Sequence, residues 1–412
     1  MNNRLVLADL PPEDRLLLLC GCIDLSPAER EALARLAYEP LAWDAVLTGA
    51  IRQGIPTLVH RHLRMLDDSA AIPSAVMERL ARIDQATRLQ VMRQRFEAVR
   101  LLDMLRAANV PVMPLKGLAL RESVYPDPAL RPSGDIDLLV GAEHVRQAEL
   151  ALQALGYLPD ETYRPRAWYR PETSHHLVPY RLPGRQVQVE IHWDLAPPEA
   201  HLPVDVEGVW ARATAAQLAG HSVWMLAPED LLLYLALHAS LFSRFLTRLH
   251  HLVDVAETTR HYALQLDWGR LAERARRWDA QRYLYLILRV ADELLGLHGA
   301  HQALADLRPA GFHQALVTAA RQRVLAMARL ETHEWTTDHL MTCALAQSAG
   351  EKLQVLWRSL FPSRARMAQL YNLPPESRWL VAYYLVRPLQ LLGRYGRHMA
   401  LLTLAHRPRF LF

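Results

Sequence analysis

The chain has 412 residues, 51% hydrophobic and 22% charged, and its 47 basic and 43 acidic side chains give a net charge of +4. This composition predicts a globular protein with room for two or three domains and excludes a disordered chain. Its three cysteines are too few for a disulfide framework. Because residues 1–10 carry an acid and no apolar core, and no run of about 18 apolar residues occurs, we expect neither a secretory signal nor a membrane span. We therefore expect a soluble, cytoplasmic protein.

The N-terminal part of the chain is predicted to be helical. Residues 12–109 carry apolar positions three and four apart, which is the spacing of amphipathic helices. The segment from Ser26 to Glu29 has the composition of a helix start. Residues 83–108 predict one long helix that leads into the next segment.

A strand, a turn and a helix are predicted around Lys116 and Gly117. Residues 110–115 are apolar, and apolar positions at helical spacing follow the glycine. A glycine lets a phosphate approach the backbone, and the free amides at a helix N-terminus carry partial positive charge. Lys116 is one of only two lysines, with Lys352, so this position suggests a need for a compact ammonium rather than a guanidinium. Lys116 and Gly117 are therefore predicted to bind phosphate.

Two aspartates follow on a predicted strand. Because side chains alternate along a strand, Asp135 and Asp137 share one face, and Ile136 and Leu138 share the other. Neighbouring carboxylates repel each other unless a cation bridges them, and carboxylate oxygens are ligands that Mg²⁺ prefers. The sequence therefore predicts a magnesium site at Asp135 and Asp137.

A second predicted strand, residues 186–193, alternates strictly and places Glu190 and His192 on its polar face. If this strand lies near the aspartate strand, Glu190 completes a cluster of three carboxylates. Such a cluster beside a phosphate-binding turn is suited to two Mg²⁺ ions and to phosphoryl or nucleotidyl transfer.

Residues 173–180 are predicted to form a hairpin with this second strand, closed near Gly184. His175 and His176 would then lie across from Glu190 or His192. These three histidines are candidates for orienting an acceptor or for acid-base work. Packing is the alternative role, which we favour because a strand would place only one of His175 and His176 on the active face.

Beyond Pro228 the chain is again predicted to be helical, with helices at residues 229–241, 246–261, 267–279 and 281–297. Asp254 lies between apolar neighbours, so it either contacts the nucleotide domain or is a buried acid that pairs with an arginine. Residues 352–412 carry ten basic side chains and a single acid. The tail at residues 357–412 is predicted to pack its apolar side on the body, with a membrane surface or an RNA backbone as alternatives.

Several of these segments together resemble an uncharacterised bacterial nucleotidyltransferase family of the polymerase-β-like superfamily. The resemblance implies a fold of mixed strands and helices, a metal pair on Asp135 and Asp137, and Glu190 as the third acid. The usual glycine-serine pair of the superfamily appears here as Lys116-Gly117-Leu118, so Lys116, Arg131 or backbone amides must replace the serine hydroxyl. The matching segments are Leu115-Lys116-Gly117, Tyr125-Pro126, Arg131-Pro-Ser-Gly-Asp135-Ile-Asp137-Leu-Leu-Val140, Val189-Glu190-Ile-His192-Trp193, Pro228-Glu229-Asp230, His238, Asp254 and Leu360-Phe361-Pro362-Ser363.

We therefore predict an α+β fold, with a small mixed-sheet nucleotidyltransferase core at residues 110–226 between a helical region at 1–109 and a helical domain at 227–412. The predicted activity moves a nucleoside monophosphate from a triphosphate such as ATP to a small-molecule, peptide or protein acceptor, with release of pyrophosphate. The mild net charge disfavours nucleic acid as a partner. The alternatives are a non-catalytic nucleotide-binding scaffold or sensor, and a hydrolase or kinase with the same metal pair.

Overall fold

The computed structural model describes residues 9–66, 72–162, 166, 169–184, 187–242, 248–297, 300–326 and 328, and shorter stretches between 345 and 391. The chain divides into two compact units, Met1–Glu331 and Thr332–Phe412. All predicted site residues belong to the first unit. Lys352 and residues 392–412 of the basic tail lie outside the described residues. The domain limits expected at residues 109 and 226 stay a prediction.

Helices build the N-terminal part of the first unit, as predicted. One of them begins at the expected capping box, where the Ser26 hydroxyl accepts from the Glu29 amide at 3.3 Å and the Glu29 carboxylate accepts from the Ser26 amide at 2.9 Å. The long helix begins earlier than predicted, directly after Pro73, because the added residues include good helix formers. These helices are α1 (Pro12–Cys20), α2 (Pro27–Ala37), α3 (Trp43–Gln53), α4 (Pro56–Leu63) and α5 (Ser74–Ala107).

A small mixed sheet follows, which confirms the predicted α+β class. Its strands are β1 (Met113–Pro114), β2 (Asp135–Leu139), β3 (Leu158–Pro159), β4 (Tyr180–Arg181) and β5 (Gln188–His192). They lie in the order β1-β2-β5-β4-β3. The pair β2 and β5 is parallel, and the other pairs are antiparallel. The predicted hairpin is regular only near its turn, where β4 pairs with β5 on either side of Gly184, whereas the rest of the predicted first arm is not a strand.

One face of this sheet is apolar and packs on helices. Ile136 and Leu138 of β2 form a buried cluster with Val189 and Ile191 of β5. Leu101 and Leu105 of α5 and Leu152 of α7 (Val145–Ala154) belong to the same cluster. Because side chains alternate along a strand, burying these residues turns the acidic residues of both strands to the opposite face.

The elements around the sheet differ in small ways from the prediction. Helix α6 (Lys116–Ser123) begins one residue after β1, so a single residue, Leu115, replaces the predicted turn. Helix α7 ends before Gly156, whose φ of +84° lies in the left-handed region that favours glycine. A short helix α8 (Val206–Arg212) precedes a hairpin of β6 (Thr214–Leu218) and β7 (His221–Met225).

The C-terminal helices of the first unit agree with the prediction, with one exception. The helix predicted at residues 229–241 ends at Leu237 and continues as a π-helical turn, His238–Phe242. The helices are α9 (Pro228–Leu237), α10 (Leu249–His261), α11 (Trp268–Arg277), α12 (Gln281–Leu295), α13 (His301–Leu307) and α14 (Ala315–Ala326). In the second unit, α15 (Arg364–Leu370) contributes to an apolar cluster of Met367, Ala368 and Leu380. None of the helices in the described parts has the length and apolar character to cross a bilayer.

A buried ion pair joins the loop before β2 to α10. The Arg131 Nε donates to both carboxylate oxygens of Asp254, at 2.7 and 2.8 Å, and the Tyr125 hydroxyl donates to the same carboxylate at 2.7 Å. Burial would lower the pKa of Arg131, but the Asp254 charge outweighs it and raises that pKa. Asp254 therefore pairs with an arginine, as one role predicted, and because that arginine lies within residues 110–226 it also contacts the predicted nucleotide domain.

We expect removal of the Asp254 carboxylate to destabilise the fold strongly. Asp254→Ala leaves the Arg131 guanidinium buried without its counter-ion, which costs about 3 to 5 kcal/mol in other proteins. The matched control is Asp24→Ala, which removes the exposed partner of Arg61, 3.4 Å away, and should leave stability nearly unchanged. Urea-induced unfolding measures both variants. Equal midpoints for the two would show that the buried pair does not hold the loop to α10.

Candidate active site

Adjacent parallel strands bring the acidic residues together. In the register of β2 and β5, Asp137 lies opposite Glu190 and Asp135 lies opposite Gln188. Neighbouring strands are about 4.8 Å apart, so facing side chains on one side of the sheet can reach a common point. The structure thus places Glu190 beside Asp137, although the two are far apart in the sequence.

Asp137, Glu190 and His192 converge on one another. Each offers one ligand atom, and these atoms all lie within 4.8 Å of one another. The His192 Nε2 is 3.0 Å from Asp137 Oδ1 and 3.6 Å from Glu190 Oε2. Asp137 and His192 are fully buried, at 1% and 0% exposure. This trio has the donor types and spacing to hold a divalent metal ion.

Lys116 sits at the start of α6 with its ammonium on the same carboxylate. Its Nζ donates to Asp137 Oδ1 at 3.1 Å. Burial would lower the pKa of Lys116, but the charges of Asp137 and its neighbours raise it well above the ordinary value. Its φ is +44°, in the left-handed region that costs a non-glycine residue about 1 kcal/mol or more. The fold holds this lysine in a strained conformation that aims its charge at the acids.

The absence of a side chain at Gly117 leaves room for the side chain of Ser133. A Cβ at this position would lie 2.6 Å from Ser133 Cβ and 2.7 Å from its hydroxyl. The Ser133 hydroxyl donates to Asp135 Oδ1 at 2.8 Å. A serine hydroxyl therefore does lie beside Gly117, although it belongs to Ser133 in the loop before β2.

Ser133 is itself fixed by the long helix. Gln90 and Gln94 of α5 each donate a side-chain N–H to the Ser133 carbonyl at 2.9 Å. Arg121 of α6 donates to the Gln94 side-chain oxygen at 2.6 Å. Sequence reasoning missed this network, although Ser133 stands two residues before Asp135 in the recognised motif. The glutamines carried no local signal, because only the fold brings α5 to this loop.

The three carboxyl groups do not share one environment. The charge of Asp137, and then burial, raises the pKa of Asp135. Burial alone would raise the pKa of Asp137, but Lys116 and His192 outweigh it and lower that pKa. Burial would also raise the pKa of Glu190, but His192, His176 and Lys116 outweigh burial and lower that pKa. The ionised forms of Asp137 and Glu190 are thus stabilised, whereas the negative charge of Asp137 disfavours the ionised form of Asp135.

Both histidines of the hairpin lie beside His192. The ring centroid of His175 is 5.2 Å from that of His192, and the centroid of His176 is 5.1 Å from it. The expectation that only one of the pair would reach the active face is wrong. Residues 174–179 form no regular strand, and only an isolated bridge joins His176 to His192, so strict alternation does not apply. Burial is the main cause that lowers the pKa of both, to about 4 for His176.

The C-terminal helices close the site from another side. Tyr234 of α9 is fully buried, and burial raises its pKa while the charge of Lys116 opposes that rise. The ring centroid of His238 in the π-helical turn lies 6.5 Å from that of Tyr234 and 5.4 Å from that of His251. Sequence reasoning did not single out Tyr234, because a tyrosine at helical spacing among leucines reads as core.

A comparison with known proteins identifies the family of this chain. A family model described as "Uncharacterised nucleotidyltransferase" matches residues 39–296, more than half of the chain. The matched span includes β2, β5, α6 and the helices that carry Tyr234 and Asp254. Neither the curated proteins nor the solved structures yield a match. The chain therefore belongs to this family of nucleotidyltransferases, and nucleotidyl transfer is the general activity that the match supports.

Proposed function

We propose that the chain is a divalent-metal-dependent nucleotidyltransferase of the polymerase-β-like superfamily. It moves a nucleoside monophosphate from a nucleoside triphosphate to an acceptor and releases pyrophosphate. The observation that carries the proposal is the register of β2 and β5, which sets Asp137 opposite Glu190. Lys116, on the first turn of α6, adds a largely buried ammonium to the same Asp137 carboxylate.

The proposed metal ligands are Asp135, Asp137 and Glu190, which would hold two ions, with Mg²⁺ as the ion that accompanies the triphosphate. The donor set fits a divalent ion, because Asp137 and Glu190 point ligand atoms at one place together with His192. Bound ions would polarise the transferred phosphoryl group and favour the deprotonated form of the attacking hydroxyl. The lowered pKa of Glu190, achieved by His192 against its burial, favours a ligand over a general base.

The start of α6 is the proposed binding site for the leaving pyrophosphate. In the reaction, an acceptor oxygen, nitrogen or phosphate oxygen forms a bond to the α-phosphorus. The bond from that phosphorus to the bridging oxygen breaks, and its electrons leave with the pyrophosphate. Lys116 and the amides that follow Gly117 would neutralise this charge, since helix N-termini favour anions. Arg131 contributes its charge nearby, with its Nε committed to Asp254.

The acceptor would enter on the side that the histidines line. His175 and His176 surround His192, and Tyr234 and His238 belong to the helical wall. A small molecule, a peptide or a protein remains the proposed acceptor class. Asp254 supports this wall indirectly, because its carboxylate binds Arg131 and Tyr125 and is not one of the converging metal-binding groups.

Loss of one metal-binding charge should abolish turnover. Asp137→Asn keeps the shape of the side chain but removes the charge that Lys116 and His192 share, so we expect pyrophosphate release to fall by at least about 100-fold. The assay supplies each triphosphate with a divalent ion and a cell extract as the source of acceptor. Asp160→Asn, an acid beside β3 that pairs with Arg181, is the control and should keep parent activity.

Two outcomes would change the proposal. Parent-like pyrophosphate release by Asp137→Asn would remove the acid pair from the mechanism. Triphosphate binding that needs no metal and leads to no turnover, with any extract, would instead support the non-catalytic scaffold or sensor.

Lys116 should not tolerate replacement by arginine. Its ammonium is largely buried and held close to Asp137 by a strained backbone, so a planar guanidinium does not fit the same space. We expect Lys116→Arg and Lys116→Met to lose most of their turnover at saturating triphosphate, with near-equal losses. Circular dichroism checks that both variants fold. Near-parent turnover in Lys116→Met would show that the pyrophosphate charge is neutralised elsewhere, with Arg131 as the next candidate.

A further inference from the structure

We propose that Asp137, Glu190 and His192 form a resident site for one transition-metal ion of the Mn²⁺ to Zn²⁺ series, which binds before the nucleotide and in preference to Mg²⁺. This inference deepens the proposed function, on which it rests only for the role of the ion. The site differs from an all-carboxylate magnesium pair by one ligand, the imidazole of His192.

The backbone fixes the geometry of this trio. Glu190 and His192 are two residues apart on β5, so their side chains share one face, and Asp137 lies opposite Glu190 on β2. His192 directs Nε2 at both acids, 3.0 Å from Asp137 Oδ1 and 3.6 Å from Glu190 Oε2. Three ligand atoms from two adjacent strands therefore converge without any loop having to close.

The ligand types select the ion. Mg²⁺ favours six oxygen ligands in near-ideal octahedral geometry and keeps several waters. An imidazole nitrogen suits the later divalent ions, and at a mixed nitrogen and oxygen site affinity rises from Mn²⁺ to Cu²⁺ and is lower again for Zn²⁺. A buried imidazole between two carboxylates thus favours a transition ion.

Asp135 stands apart from this trio and has a different preference. It is not among the three converging residues, and its Oδ1 accepts from the Ser133 hydroxyl at 2.8 Å. Its neighbours offer oxygen, from the serine and from the Asp137 carboxylate. An oxygen-only position of this kind suits the Mg²⁺ that arrives with a triphosphate. The two proposed metal positions therefore differ in chemistry, one resident and one delivered with the nucleotide.

A plain ion pair between His192 and Asp137 is the simpler explanation for the short contact. It accounts for the 3.0 Å between His192 Nε2 and Asp137 Oδ1, but it does not need Glu190 Oε2 to lie 3.6 Å from the same nitrogen. Three ligand atoms that converge on one point are instead the arrangement that a bound cation requires.

The test is metal binding by the full chain in the absence of nucleotide. After chelation and dialysis, the protein is titrated with Co²⁺ alone, whose visible absorption reports its ligands, and then with Zn²⁺, Mn²⁺ or Mg²⁺ as competitors. We expect one Co²⁺ per chain, displaced readily by Zn²⁺ and only by at least about 100-fold more Mg²⁺. His192→Gln keeps a polar group beside Asp137 but removes a proposed ligand, so Co²⁺ binding should weaken by at least about 10-fold.

The matched control is His144→Gln. His144 also lies beside a carboxylate, with its Nδ1 3.1 Å from Glu143 Oε1, but it belongs to no trio among the described residues, so Co²⁺ binding should not change. If His192→Gln does not fold, pulsed electron paramagnetic resonance of the Mn²⁺-loaded parent decides, since a bound imidazole nitrogen couples to the ion.

Each result is decisive. Equal affinity for Mg²⁺ and Co²⁺, Co²⁺ binding unaffected by His192→Gln, or Mn²⁺ without nitrogen coupling would overturn the inference. Full turnover with Mg²⁺ as the sole ion would also overturn it while leaving the proposed function intact. Tight Co²⁺ binding without nucleotidyl transfer to any acceptor would support the metal site and count against the proposed function.

Discussion

The structure depends on the parallel pairing of two short strands. Because β2 and β5 are adjacent, parallel and in a register that sets Asp137 opposite Glu190, one face of the pair collects ligand atoms and the other collects apolar side chains. A shift of one residue would send the acids into the apolar cluster. Burial of Ile136 and Ile191 against α5 and α7 therefore fixes the position of the acids as firmly as it stabilises the fold.

The same constraint explains why the neighbouring residues are unusual. Lys116 adopts a left-handed conformation, and Gly117 leaves room for Ser133. Both features bring the start of α6 close to β2, since Gly117 lies against Ser133 just before the strand and Lys116 contacts Asp137 within it. Strained residues persist only where the surroundings enforce them, and they concentrate at functional sites. The glutamines of α5, which hold the Ser133 carbonyl, provide part of that enforcement.

The sequence predicted features that depend on local spacing. Alternation identified Asp135, Asp137 and Glu190 as residues on polar faces, and helical periodicity found the end of α5 and most C-terminal helices near their observed limits. The α+β class followed from these elements together. Lys116 stood out by composition alone, in a chain that otherwise uses arginine for its basic side chains.

Features that depend on long-range packing could not be predicted in this way. Ser133 and Tyr234 carry no periodic signal for a site, since one lies in a loop and the other reads as core. The position of both hairpin histidines around His192 results from an irregular segment, to which the rule of alternation does not apply. The partner of Arg131 was likewise hidden, because Asp254 comes from α10, more than one hundred residues further along the chain.

The most direct test of the account follows the phosphorus atoms of the donor. ATP labelled at either the α- or the γ-phosphorus is incubated with the protein, a divalent ion and a cell extract, and the products are separated by mass. Nucleotidyl transfer predicts that the α-label appears on an acceptor together with the nucleoside, and that the γ-label appears in pyrophosphate. Transfer of the γ-label to an acceptor, or its release as free phosphate without labelled pyrophosphate, would contradict the account and indicate a kinase or a hydrolase.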